Sequence, residues 1–361
     1  MKKYCLVLNP GSTSTKLGVF EGRAPVLIHS ATHTQEELSP FPSVVAQKAY
    51  RTDMVERCLK EQGISPEELA VIIAIGGMIR PGEGGVYQVD QAMADDLAAA
   101  RYNEHASNLG GLIGWDLSKR LNIPAYVADP ITTDEMQEVA RISGIPEIMR
   151  AGRAHTLNQK SMAERAASEL GTVYDQAHLI VAHLGGGISV AAHRRGRMVD
   201  TNAARGEGPF CIDRSGGVNT FAVVKLALSE KYTKEEMLGK ISGNGGVVAY
   251  LGTRDFREVV KRRADGDQAA REVFDAMAYQ IAKEIAAMSV PLEGRVDAIV
   301  LTGGMAYSHE LTGEIVRQVA HIGKCLIYPG ENEMQALADY AWQVTHGLRE
   351  VKSYQAEEGE I

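Results

Sequence analysis

Between positions 4 and 20 the chain reads YCLVLNPGSTSTKLGVF, and between 178 and 192 it reads HLIVAHLGGGISVAA. In the first stretch an apolar run over 4–8 breaks at Asn9-Pro10-Gly11-Ser12-Thr13-Ser14-Thr15-Lys16 and resumes to position 20. In the second, a run over 178–184 breaks at Gly185-Gly186-Gly187 and resumes over 188–192. Apolar and β-branched runs bounded by turn residues predict strand, tight turn, strand in both places. Such turns suit a phosphate, because successive backbone N–H groups can face one concavity and Ser or Thr hydroxyls add donors. Either turn alone reads as an ordinary hairpin, since a glycine run is weak evidence for phosphate. A third junction, an apolar strand over 296–301 followed by Thr302-Gly303-Gly304-Met305-Ala306 and a helical pattern, makes the recurrence coherent. The expectation is a nucleotide held by paired α/β domains.

At 361 residues the chain exceeds what one hydrophobic core usually serves, so two domains are expected. A hydrophobic fraction of 45% with 23% charged residues is that of a soluble globular protein. Net charge −8 opposes the basic face that a nucleic acid needs. Lys261-Arg262-Arg263 reads as a solvated helix end, and His193-Arg194-Arg195-Gly196-Arg197 as a turn after the second hairpin. Cys5, Cys58, Cys211 and Cys325 form no Cys-x-x-Cys pair, so neither a zinc site nor a disulfide framework is expected, and a cytoplasmic setting fits. No run approaches a membrane span or a signal-peptide core.

The first half alternates strands with helical patterns: a helix over 43–62, a strand over 71–75, Asp90 as N-cap of an Ala-rich helix, and a strand over 125–128 ending at Asp129-Pro130. Acidic residues at strand ends attract interest because ligands of open α/β sheets collect at the carboxyl ends of strands. Helical patterns follow over 156–170 and 267–289; in the latter Val273, Phe274, Met277, Ile281, Ile285 and Met288 form a core-facing stripe. The tail with Glu357-Glu358-Gly359-Glu360 reads as polar and frayed.

Around the turns lie His105, Asp129, His155, His183, Arg214 in Asp213-Arg214-Ser215-Gly216, and Glu333. Phosphoryl transfer needs cations and donors at the equatorial oxygens and oxygen ligands for a divalent metal, and this set contains each type. His183 ends a strand against a glycine turn, where it suits donation to a phosphoryl group or, equally, a satisfied core role. Arg214 suits a backbone-lined anion pocket or a solvated surface, and Asp129 a metal ligand or a turn cap before Pro130.

These segments, with Glu104-His105-Ala106-Ser107-Asn108-Leu109-Gly110, Gly206-Glu207-Gly208-Pro209-Phe210 and Asn244-Gly245-Gly246, resemble the butyrate kinases of the acetate kinase family over nearly the whole chain. The resemblance implies two similar actin-like ATPase (ribonuclease H-like) α/β domains with a nucleotide cleft between them, 1–152 plus 335–361 and 153–334. It implies reversible phosphoryl transfer between ATP and butyrate or a branched short-chain acid, giving acyl phosphate and ADP. Carried over by position, Asn9, Asp129 and Glu333 would organise magnesium. His183, Arg214 and His105 would serve the phosphoryl and acyl groups. Gly11, Ser12, Thr13, Ser14, Lys16, Gly185, Gly186 and Gly187 would hold phosphates, and Gly303, Gly304 and Ala306 the adenosine. A cytoplasmic homodimer or larger homo-oligomer acting on small molecules, with no nucleic acid or membrane partner, completes that expectation. One position departs: Ile75, in Ala74-Ile75-Gly76-Gly77, stands where the family carries an arginine. Arg80 and Arg205 are candidates to replace that charge. The departure keeps open a second reading, a nucleotide-binding paralogue with weakened catalysis and a regulatory or assembly role.

Overall fold

The computed structural model describes residues 2–203 and 206–354, so Arg205 and the acidic tail at 357–360 lie outside the described residues. The chain divides into two compact units, Met1–Thr133 with Asn332–Ile361, and Asp134–Glu331. Residues 134–152, grouped with the first domain in the sequence reading, thus cluster with the second unit, and 332–334 with the first.

The first unit is built on strands β1 (Tyr4–Pro10), β2 (Ser14–Glu21), β3 (Ala24–Thr32), β4 (Leu69–Ile75), β5 (Val86–Gln88) and β6 (Ala125–Ala128). The second uses β7 (His178–Leu184), β8 (Ile188–Arg194), β9 (Arg197–Thr201), β10 (Ala298–Gly303) and β11 (Lys324–Pro329); the two-residue β12 (Val351–Lys352) returns to the first. The seven-stranded sheet runs β12-β5-β6-β4-β1-β2-β3 and the five-stranded sheet β11-β10-β7-β8-β9. In each, a three-strand antiparallel meander is followed by a strand parallel to its first member: β4 beside β1, and β10 beside β7. A further parallel strand follows in each, β6 beside β4 and β11 beside β10; the first sheet alone extends beyond it, with β5 antiparallel to β6 and then β12. The same order appears twice, which is the duplicated α/β architecture expected from the paired hairpins.

Alternation within β7 explains its continuous apolar run. Ile180, Ala182 and Leu184 face one buried layer with the helix Gln268–Ala287, while Leu179 and Val181 face the opposite layer with the helix Thr156–Glu169. A strand covered on both faces reads as a nearly continuous apolar run, which in β7 only His183 interrupts between Leu179 and Leu184. In the first unit Leu6, Leu8, Ile72 and Val127 pack with Met54, Val55 and Leu59 of the helix Lys48–Glu61 and with Leu109, Leu112 and Ile113 of the helix Asn108–Leu121.

Local signals set the helix starts. Asp90 accepts a hydrogen bond from the Met93 amide at 2.8 Å, and Asp267 caps Gln268–Ala287 through the Ala270 amide. Lys261, Arg262 and Arg263 occupy the last turn of the helix Phe256–Ala264, where cations favour the carbonyl-rich end. Cys5, Cys58 and Cys211 are buried thiols and Cys325 is half-buried, with no disulfide among the described residues. Among the described residues no helix is long and apolar enough to cross a membrane.

Candidate active site

In the second unit the glycine turn between β7 and β8 brings candidate residues together. The Gly185 amide donates to the Gly187 carbonyl at 3.1 Å, closing the turn. A methyl group on Gly185 would stand 2.9 Å from His183 Nε2, and one on Gly187 would stand 2.6 Å from Arg214 Nη1. The glycines therefore let an imidazole and a guanidinium close on the same backbone turn. Gly186 has nothing within 4 Å of its missing Cβ, so its outer face is open.

His183 is 2% exposed, and its Nδ1 meets Asn158 Oδ1 at 2.7 Å. Asn158 Nδ2 donates to the Glu331 carbonyl at 2.7 Å, and a carbonyl can only accept. The amide is thereby oriented, its oxygen must accept from His183, and the imidazole proton sits on Nδ1. Burial, followed by the neighbouring His155, lowers the His183 pKa well below its usual value, so the neutral ring presents Nε2 as a lone pair.

His155 stacks on His183 with ring centroids 3.9 Å apart and planes at 14°. Its tautomer is opposite, for a traceable reason. Gln159 Nε2 donates to the Ser189 carbonyl at 2.9 Å and to Ser189 Oγ at 3.0 Å. With its oxygen lone pairs engaged by that amide and by the His155 backbone N–H, the Ser189 hydroxyl donates to His155 Nδ1 at 2.9 Å. The His155 proton is left on Nε2. Burial and then the Arg214 charge hold its pKa at about 4, so the ring is neutral and an N–H donor. Behind it, Gln159 Oε1 accepts from His193 Nε2 at 3.0 Å, and His193 Nδ1 meets the Tyr174 hydroxyl at 2.7 Å. His155 stood among the sequence candidates without a role; the spacing of a helix start and a distant hairpin does not announce a stacked pair.

Arg214 ends a loop tied down from several sides. The Cys211 amide donates to the Arg214 carbonyl at 3.1 Å, the Ser215 amide to Ile241, and the Gly243 and Gly245 amides to the Asp213 carbonyl at 2.7 and 3.1 Å. Asp213 Oδ1 lies 3.7 Å from Arg214 Nε. Gly303 adopts φ +89°, and a Cβ there would strike the Leu184 backbone at 2.4 Å, so the end of β10 is pressed onto the end of β7. Gly304 is open, with nothing within 4 Å of its missing Cβ. Ala306 is 1% exposed within the short helical turn Gly304–Tyr307, so what that segment offers a ligand comes from its glycine end.

In the first unit, Asn9 at the end of β1 pairs across to Lys16 on β2. Asn9 Nδ2 donates to Glu333 Oε2 at 2.5 Å, which brings those two expected metal-site residues together. The register places Leu8 opposite Ala74 and Ile75 opposite Ala128, so Asn9, Ile75 and Asp129 lie at the carboxyl ends of three adjacent parallel strands. Asp129 is 2% exposed, holds φ +40°, and accepts from the Gly85 amide at 2.8 Å. Ile75 is half-buried in the middle of this edge, and Arg80 is exposed five positions further on. The helix Asn108–Leu121 reaches the same edge: a Cβ on Gly110 would stand 2.9 Å from Ala74 Cβ and 3.4 Å from Pro10 Cδ. His105 precedes that helix on an exposed loop, and its Nδ1 accepts from the Ser107 amide at 3.2 Å.

The donor set Asn9, Asp129 and Glu333 consists of oxygen-bearing side chains, the hard ligands that magnesium takes. Among the described residues no group of three or more His, Cys, Asp or Glu side chains forms a ready metal cage.

Residues 146–336 match the model of the Acetokinase family. The chain is 47% identical over 349 residues, 97% of its length and 99% of the relative's, to the "Probable butyrate kinase 2" of Caldanaerobacter subterraneus subsp. tengcongensis. It is 42% identical over 355 residues to the "Butyrate kinase 2" of Clostridium acetobutylicum, covering 98% of this chain and 100% of that one. Among solved structures, the Porphyromonas gingivalis acetate kinase superposes with a TM-score of 0.74 at 18% identity, over 94% of this chain and 99% of that one, a likeness of fold. The duplicated sheets, the two glycine turns and this near full-length identity lead to one conclusion: the chain belongs to the acetate kinase family.

Proposed function

We propose that this protein is a short-chain carboxylate kinase, transferring the terminal phosphoryl group of ATP to butyrate or a branched acid of similar size and catalysing the reverse. The observation that carries the proposal is the closure of His183 and Arg214 on the Gly185–Gly187 turn, in a chain 47% identical to a butyrate kinase 2 relative. A carboxylate oxygen is already nucleophilic at neutral pH, so the protein needs alignment and charge neutralisation more than a base. Outward backbone amides of the Gly185–Gly187 turn and those of Ser12 and Thr13, with the Lys16 ammonium, serve the nucleotide phosphates, the Gly185 and Gly11 amides being engaged in closing their own turns. The Arg214 guanidinium neutralises charge on the transferring group, and the His155 Nε2–H supplies a neutral donor beside it. His183 stacks against His155 and holds the turn; donation from its Nε2 would require it to take up a proton. Gly303 and Gly304 form the nucleoside end, with Ala306 packed beneath them, and His105 serves the acyl phosphate. Bound through Asn9, Asp129 and Glu333, magnesium would neutralise phosphate charge.

Ile75 lies mid-edge in the first unit, where a guanidinium would otherwise meet an anion. Arg80, on the loop after β4, is our candidate for that charge. The enzyme is read as a cytoplasmic homo-oligomer. Supporting self-association, the helix Thr220–Ala227 buries none of its residues, and Phe221, Val224 and Leu228 are 71%, 49% and 78% exposed.

The test is hydroxylamine trapping of acyl phosphate with MgATP and acetate, propionate, butyrate, isobutyrate or valerate. Hydroxamate formation greatest with butyrate or isobutyrate supports the proposal. Nucleotide binding without hydroxamate from any acid would favour the regulatory paralogue.

A further inference from the structure

Arg51, on the helix Lys48–Glu61, is completely buried yet has no carboxylate among its hydrogen-bond partners. Its Nη1 donates to the Gly11 carbonyl at 2.8 Å, the Ser14 carbonyl at 2.9 Å and Thr15 Oγ1 at 3.0 Å. Its Nη2 donates to the Ser12 carbonyl at 3.1 Å and to Gln47 Oε1 at 2.7 Å, and Nε also donates to Gln47 at 3.1 Å. The remaining carbonyl of the turn, Thr13, is taken by the His33 amide at 2.8 Å. Thr15 Oγ1 also meets His33 Nε2 at 2.8 Å.

Every carbonyl from Gly11 to Ser14 is thus drawn to a protein donor. In a planar trans peptide the carbonyl of one residue and the N–H of the next point in opposite directions. Gripping the Gly11 and Ser12 carbonyls therefore turns the Ser12 and Thr13 N–H groups away from the guanidinium. Ser12 and Thr13 are the exposed residues of the turn. The guanidinium beneath adds positive potential that no acidic partner in this hydrogen-bond set cancels, and such a concavity of amides is an anion cradle.

We infer that Arg51 is the positioning residue of the first phosphate turn, holding the Ser12 and Thr13 amides outward for a nucleotide phosphate while never touching it. The inference rests on the kinase reading above for the identity of the ligand. Hydrogen exchange at residues 11–15 of the nucleotide-free protein, together with KM for MgATP and for butyrate, tests it in Arg51→Gln and Arg51→Lys. Expected in Arg51→Gln is exchange in this segment faster by tenfold or more. The KM for MgATP should rise by a similar factor, the KM for butyrate should stay within twofold, and Arg51→Lys should recover part of the loss. Free guanidinium should restore nucleotide binding to Arg51→Ala. Should Arg51→Gln be too unstable to assay, Arg51→Lys carries the same comparison, since an ammonium cannot reach both the Gly11 and Ser12 carbonyls as a fork. Unchanged exchange at 11–15 in a folded variant overturns the positioning role. A wild-type protein that binds no MgATP contradicts the kinase reading instead, and the exchange result still decides the role of Arg51.

Discussion

Asn158 Oδ1 lies 2.7 Å from His183 Nδ1, and the same side chain donates 2.7 Å to the Glu331 carbonyl. One buried amide thereby fixes both the orientation and the tautomer of the imidazole behind the glycine turn. Asn158→Ala leaves the buried His183 N–H without its acceptor and the Glu331 carbonyl without this donor, at a cost on the order of 1–3 kcal/mol. Thermal melting should register that loss, and kcat should fall roughly tenfold or more as the ring loses its place. A variant with unchanged melting and kcat would remove Asn158 from the account.

Gly187 and Gly186 separate packing from binding. Gly187→Ala would push a methyl to 2.6 Å from Arg214 Nη1, displacing the guanidinium, and kcat should drop about a hundredfold with the protein still folded. Gly186→Ala meets nothing within 4 Å in the free protein and should melt like wild type. If phosphate seats on that face, its KM for MgATP rises; equal KM values would move the phosphate elsewhere.

Stability should depend on acid in a defined window. Burial and the nearby Arg214 charge hold His155 at about 4, and burial and Lys160 hold His193 at about 3, against an ordinary 6.5. Below pH 6.5 the unfolded chain takes up protons that the folded rings refuse, so the stabilisation is complete above that value and is lost as pH falls toward 4 and 3. The melting midpoint should fall through this range, all the more because His183 is held low as well, and His193→Gln should flatten the slope by removing one of these proton uptakes. A pH-independent midpoint between 6.5 and 4 would contradict the neutral assignment.

Much of the frame was legible in the sequence because it rests on local patterns. Both hairpins, the strand at 125–128, the Asp90 cap and the long helix beginning near Asp267 follow from periodicity and turn chemistry. The two remaining meander strands were harder. β3 is exposed at most positions and lacks alternation, while β9 is five residues long beyond a basic turn. Arg51 was illegible for a different reason: it binds carbonyls 37 to 40 positions away, and a backbone acceptor leaves no mark on residue type. The His155–His183 stack joins residues 28 positions apart, and neither the tautomers nor the Ser189 and Asn158 partners that set them follow from spacing.

Ile75→Arg places a guanidinium at the carboxyl end of β4, between β1 and β6, whose carboxyl ends carry Asn9 and, one residue beyond, Asp129. If an anion passes this edge during the reaction, kcat should rise by about a hundredfold, the magnitude of one positioned donor. If Arg80 already serves, the gain should be small in wild type and large in an Arg80→Ala background. No gain in either background would dissociate this edge from the reacting anion.

The most direct test of the whole account is ³¹P NMR of the purified protein with MgATP and butyrate, compared with Arg214→Gln. The account predicts butyrate-dependent appearance of an acyl phosphate resonance with matching ADP, slowed by about a hundredfold or more in the variant. ADP and inorganic phosphate released at the same rate with and without butyrate, and with no acyl phosphate, would contradict it.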